Sequence, residues 1–201
     1  MTVLLLLLIA CNSSTDVNLS AKKTRQQDKA ELNRKSDSTY KLIHQKLFSV
    51  IKEQELFDKK FEAYRLYLDR AFHYAMVFRI EKEKQSVRLF VKTFKQRHFD
   101  IADSKDSLIS VSLKKLREND WNDFKKNLEL AKFWTMNPGT NEGKGCFDGS
   151  YWTLEGYVPS TDSTRAMHYF VTRFCPKDGY FRKACLKLIE LSGELDTNEV
   201  Y

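Results

Sequence analysis

Two carboxylates, a guanidinium and an indole fall close together late in the chain, as Asp148, Trp152, Glu155 and Arg173. They sit on two runs rich in aromatic and β-branched residues, 151–158 and 167–174, separated by the turn-like stretch 159–165. If the runs pair as a hairpin, Glu155 and Arg173 face each other across the strands, with the broad apolar face of Trp152 beside them. A cleft of that composition would bind a polar ligand or support acid and base steps. The same residues equally fit a structural role, in which Asp148-Gly149 shapes a turn, Trp152 packs the core and Glu155 forms a cross-strand ion pair with Arg173. The pattern assigns no residue to catalysis.

Other chemistries find no footing. The stretch 139–145, Gly-Thr-Asn-Glu-Gly-Lys-Gly, is one residue short of a phosphate loop between its glycines and ends in Gly where Ser or Thr must hold magnesium. Ser-x-x-Lys recurs at Ser20, Ser38, Ser49 and Ser112, as a lysine-rich chain would show by chance, without its β-lactamase companions. His44, His73, His98 and His168 are scattered, with no spacing that gathers a metal. No metal and no cofactor are therefore expected.

The elements that must position the four residues can be read from periodicity. Tyr40, Ile43, Leu47, Val50 and Ile51 recur at helical spacing, predicting an amphipathic helix over 38–54. Residues 61–68 fit either period. Met76, Phe78 and Ile80 alternate with Val77, Arg79 and Glu81, and after a polar turn Val87, Leu89 and Val91 alternate with Arg88, Phe90 and Lys92, so a hairpin is expected. Ile109, Val111 and Leu113 predict a third, half-buried strand. Asn119 or Asp120 caps a helix carrying Trp121, Phe124, Leu128 and Ala131 on one face. A last helix with Phe181, Ala184, Cys185 and Leu188 closes at Gly193, and an acidic tail, 194–201, is expected to fray.

Strands in a meander, a helix, a further hairpin and a closing helix make an α+β domain over 37–193. Its sheet should be antiparallel, of about five to six strands, with helices mainly on one face. Tyr64-Arg65-Leu66, Phe78-Arg79-Ile80, Phe133-Trp134, the block from Asp148 to Glu155 and Arg173-Phe174-Cys175-Pro176 together resemble a family of small uncharacterised bacterial proteins with an Asp-Gly-x-x-Trp-x-Leu-Glu motif. The resemblance implies a single domain with this strand order and a strand over 61–68. The family has no established activity, so no mechanism comes with it.

The first eleven residues carry a separate signal. An apolar run, 3–9, ends in Leu8-Ile9-Ala10-Cys11. It falls short of the roughly 20 apolar residues that span a bilayer and matches a signal-peptide core. The pattern resembles the signal peptides of bacterial lipoproteins, which implies cleavage of 1–10, lipidation of Cys11 and a membrane-anchored lipoprotein of the cell envelope facing the periplasm. Residues 12–36 lack aromatics and abound in Ser, Asn, Gln and Lys, the composition of a disordered tether. The tether holds six cations against three anions, nearly half of the net charge of +7, and beside an acyl anchor such charge favours anionic lipid. Elsewhere basic and acidic residues are mixed, which argues against nucleic acid.

With Cys11 lipidated, Cys146, Cys175 and Cys185 remain. Hairpin pairing brings the residues before Tyr151 beside those after Phe174, so Cys146 to Cys175 is the expected disulfide. The functional expectation is a binding or interaction module for an envelope protein, held to the membrane through its lipid. The alternative is a small envelope hydrolase using Asp148 or Glu155.

Overall fold

Period-two alternation of apolar and polar residues gives a sheet one face for the core and one for something else, and here both faces are covered over most of their width. The structure, a computed structural model, describes residues 48–49, 51–57, 59–95, 108–140, 149–196 and 200. They belong to a compact unit running from Phe48 to Tyr201. Asp148, Cys146, Cys11, the signal peptide and the tether lie outside the described residues.

The elements are β1 (Glu62–Arg70), β2 (Ala75–Glu83), β3 (Ser86–Phe94), β4 (Leu108–Leu116), α1 (Glu118–Leu130), a 3-10 turn (Phe133–Thr135), β5 (Gly139–Thr140), β6 (Ser150–Val158), β7 (Met167–Phe174) and α2 (Gly179–Ser192). Across the sheet the order is β4-β3-β2-β1-β6-β7-β5. The six long strands are antiparallel to their neighbours, and the two-residue β5 runs parallel to β7. The fold is α+β, a meander followed by a hairpin that docks against the first strand. That docking makes β1 central, and every one of its residues after Glu62 is buried.

One sheet face carries Leu66, Leu68, Phe78, Leu89, Trp152 and Leu154, in one core cluster with Trp121, Phe124 and Leu128 of α1 and with Phe181, Leu188 and Ile189 of α2. Tyr64 sits among aromatic rings, edge-on to Phe124 at 5.2 Å and to Phe133 at 6.2 Å. Gly156 on β6 lets those rings lie against the strand, since a Cβ there would stand 2.8 Å from both Tyr64 and Phe133. Gly193 ends α2 at φ 63°, as its position in the sequence implies.

The opposite face is crossed by a strap, residues 48–49 and 51–57. The expected helix over 38–54 does not hold across its end. Phe48 and Ser49 are helical, but the chain turns at Ile51 and Lys52, where φ is 51°, and 53–55 are irregular. The turn directs Glu53 onto the sheet, where two cations receive it. Three further expectations need correction. Strand β4 is not half-buried: Ile109, Val111 and Leu113 are 44%, 56% and 58% exposed, because β4 is an edge strand and the strap's described bonds stop at Lys92 of β3. Helix α1 begins at Glu118, and Asp120, rather than capping it, accepts the Arg117 backbone N–H at 3.0 Å from inside the first turn. The end of the chain is not wholly frayed, for the Val200 side chain is in the core and its carbonyl accepts the Ser150 hydroxyl at 2.9 Å. Among the described residues, no helix is long and apolar enough to cross a membrane.

Candidate functional site

Strand register decides which of the four predicted residues meet. In the β6–β7 hairpin Trp152 lies opposite Arg173, and Glu155 lies opposite Phe170. Residues 152 and 155 differ by an odd number, so in a strand they point to opposite faces. The expected pairing of Glu155 with Arg173 is thus overturned. Trp152 and Arg173 belong to the helix-covered face, Glu155 to the strap-covered one.

On the helix side the two residues are structural. Trp152 is fully buried, and its indole N–H donates to the Ser150 hydroxyl at 2.6 Å. Arg173, 3% exposed, donates to the carbonyl oxygens of Thr172 (2.8 Å) and Asn137 (3.0 Å), and its guanidinium lies 5.6 Å from the Phe181 ring. These bonds tie β7 to the segment that leads into β5. The sheet edge there is fixed by a side chain rather than opened to a ligand.

On the strap side Glu155 is part of a lattice of charges. Its Oε2 accepts from Arg65 Nη2 at 2.5 Å and from Nε at 2.9 Å, and its Oε1 meets His168 Nε2 at 2.7 Å. Arg65 also donates through Nη1 to the Gln54 carbonyl at 2.7 Å, and its guanidinium lies 3.6 Å from the centre of the Phe48 ring. Glu53 is bound by Arg79 at 2.5 Å and by Lys92 at 2.7 Å. Glu81 takes Arg79, Lys59 at 3.0 Å and Arg88 at 3.1 Å. Arg65 and Arg79 are direct cross-strand neighbours, an arrangement that repels unless carboxylates neutralise it. The deep members come close to balance, with Arg65, Arg79, Lys92 and Lys59 against Glu53, Glu81 and Glu155. Balance of that kind is what a lattice withdrawn from water requires.

The electrostatics remove Glu155 from acid catalysis. Burial alone would raise its carboxyl, but the Arg65 charge and the His168 bond outweigh burial and hold it at about 2. Glu53 is likewise held below the usual carboxylate range, burial being overcome by Arg79, Lys92 and Arg65. Neither holds a proton to give at neutral pH. Cys185 is free, fully buried and pushed upward by burial, so it is no nucleophile. Cys175 is disulfide-bonded, and the expected partner Cys146 falls outside the described residues. Among the described residues no three His, Cys, Asp or Glu side chains gather as a metal site would need.

Sequence reasoning missed Arg65, Arg79, Glu53 and His168. The first two interrupt the apolar runs of β1 and β2, which is a legible signal that a charge must be buried. Nothing local marked Glu53, because the strap's path depends on the turn at Lys52. His168 is the lattice member with most access to solvent among those touching Glu155, its side chain 32% exposed, with the Phe57 ring at 6.1 Å and Tyr157 at 6.4 Å. A carboxylate orienting a histidine is half of a nucleophile-activating arrangement. An open cleft of about 490 Å³ lies nearby between the strap and the β2–β3 turn, lined by Gln54, Glu55, Lys59, Lys60, Phe61 and Glu83, and it contains none of the four predicted residues. No family model, no curated protein and no solved structure matches the chain.

Proposed function

We propose that the protein is a lipid-anchored binding module of the bacterial cell envelope, tethered through Cys11 and facing the periplasm, that engages an envelope protein rather than turning over a substrate. The observation that carries the reading is the state of Glu155. The residue best placed for acid or base work is neutralised by Arg65 and hydrogen-bonded to His168 beneath the strap, and its carboxyl is held at about 2. Side chains able to meet a partner are instead apolar and peripheral, with Phe72 76%, Tyr74 50% and Leu113 58% exposed. The anchor rests on the apolar run that ends in Cys11.

The test is metabolic labelling with an alkyne-bearing palmitate. Wild-type protein takes up label and sediments with membranes. Cys11→Ala takes up none and, where exported, appears in the soluble fraction, since stable anchoring needs acyl chains that only the thiol and the new amino terminus provide. Equal labelling of wild type and variant would refute the anchor.

A further inference from the structure

The cleft between the strap and the β2–β3 turn is bounded by Gln54 and Glu55 of the strap, by Lys59, Lys60 and Phe61 at the entry to β1, and by Glu83. Its volume of about 490 Å³ falls within the roughly 300–1,000 Å³ of small-molecule sites. Phe72 and Tyr74 follow the far end of β1, and neither they nor Leu113 line it. The cleft thus stands apart from the apolar side chains assigned to an envelope partner.

Its charges are unequally committed. The buried lattice sets Arg65, Arg79, Lys92 and Lys59 against Glu53, Glu81 and Glu155, an excess of one cation, and Lys59 is the member that lines the cleft. An ammonium has three N–H donors. Lys59, its side chain 8% exposed, gives one to Gln54 Oε1 at 2.8 Å and pairs with Glu81 Oε2 at 3.0 Å, with the Phe61 ring centre 5.0 Å from Nζ. No described oxygen takes the third. Glu81 is shared with Arg79 and Arg88, so it does not neutralise Lys59 alone. Lys60 is exposed on the same wall and has no ion pair among the described residues. The lining carboxylates are already engaged, Glu83 with Arg88 at 2.7 Å and Glu55 in an interaction of its own. What the cleft has to offer is therefore positive charge.

We propose that this cleft binds a small organic anion, its charged oxygens held by Lys59 and Lys60 and its apolar body laid against Phe61. Lys59 is the anchor. A surface lysine loses rotamer freedom when a ligand fixes it, but the contacts to Gln54 and Glu81 hold this one in place beforehand. A ligand oxygen that takes the third N–H makes a charge-assisted bond at a group largely withdrawn from water, and such bonds are the stronger kind. Lys60 adds a second charge at the surface, and the half-buried Phe61 supplies an apolar wall beside the ammonium. A cationic ligand would meet both lysines, and a neutral one would leave the excess cation of the lattice unanswered.

The experiment is phosphorus NMR of phenyl phosphate titrated with the full chain in a phosphorus-free non-ionic detergent, read as line broadening. Wild type is expected to broaden the phenyl phosphate line saturably and to bind inorganic phosphate, which has no apolar body, at least about tenfold more weakly. Benzylammonium, a similar ring with the opposite charge, should not compete. Lys60→Glu, at an exposed position outside the lattice, should weaken binding at least about tenfold. Phe61→Ala should bring phenyl phosphate down to the affinity of inorganic phosphate. Lys59→Met should abolish binding, and should circular dichroism show that variant unfolded, Lys60→Glu decides. Lys126→Glu, an exposed position on α1, should leave binding unchanged. Broadening by wild type that never saturates overturns the site, as does binding indifferent to Lys60→Glu or equally sensitive to Lys126→Glu. Competition by benzylammonium overturns the sign of the ligand, and inorganic phosphate bound as tightly as phenyl phosphate overturns the role of Phe61.

Discussion

Replacing Glu155 with Gln removes one charge and almost no volume, and the cost depends on what surrounds Arg65. Were Glu155 an exposed cross-strand partner, its loss would cost about 0.2 to 1 kcal/mol. It is instead bonded twice to an arginine whose side chain is 1% exposed, with Phe48 stacked on the guanidinium. The substitution leaves that cation withdrawn from water, with Glu53 at 3.9 Å as its nearest remaining carboxylate. Breaking a buried pair from one side typically costs about 3 to 5 kcal/mol. The lower end applies here, because the amide oxygen of Gln still accepts a bond from Arg65. A loss near 3 kcal/mol is a large part of the about 5 to 15 kcal/mol that holds a domain together. The assay is urea unfolding followed by tryptophan fluorescence, since Trp121 and Trp152 are both buried. The midpoint should fall with an unchanged slope. A double variant, Arg65→Met with Glu155→Leu, should recover most of the loss, because it removes both charges together. A loss under about 1 kcal/mol for Glu155→Gln would refute the claim that this pair is shielded from solvent.

Acid should act through the same carboxylate. A folded-state value of about 2 against an ordinary 4.5 means that the ionised form favours folding, so this stabilisation is complete above pH 4.5 and drains as pH falls toward 2. At about 1.4 kcal/mol per pH unit the loss is roughly 3 kcal/mol, and an unfolding midpoint unchanged between about pH 5 and pH 2.5 would contradict it. Trp152→Ala empties a fully buried site and should cost about 3 to 5 kcal/mol in the same urea assay, a cost under about 1 kcal/mol contradicting the burial. Gly156→Ala drives a methyl to 2.8 Å from the Tyr64 and Phe133 rings. These are core groups that cannot swing aside, so about 1 to 3 kcal/mol of destabilisation is expected, and a gain in stability would show that the rings yield.

What the sequence made legible follows from where each element sits. Strands β2 and β3 alternate cleanly, and α2 ends at a glycine whose left-handed backbone was implied by its place after the last apolar position. Strand β1 hid itself because a central strand buried on both faces has no polar side, and its Arg65 and Asp69 are only 1% and 7% exposed. The strand was recovered only through a family resemblance. The error at Glu155 was one of parity. Pairing Tyr151 with Phe174, as the turn over 159–165 implies, already places Arg173 opposite Trp152 and excludes it from Glu155. Strap and lattice were illegible for a different reason, since the pairs that close them are set by tertiary path, with Arg79 and Glu53 26 residues apart and Arg65 and Glu155 90 apart.

The two faces then explain why this sheet tolerates so much buried charge. A sheet apolar on both sides would allow its strands to slide by two residues at little cost. Here a slide by two removes Arg79 from Glu53 and Glu155 from Arg65, and a slide by one drives both arginines into the aromatic core around Tyr64. The lattice thus penalises every wrong register, and the strap that closes it takes the same charges out of reach of solvent. Over the lattice strands the strap-side positions are committed to holding the fold. Beyond β3 the buried charges give out, the exposed Lys115 lies opposite Arg88, the row turns apolar at Leu113 and Val111, and the cover ends. At that rim a residue can be replaced without unpairing a buried ion.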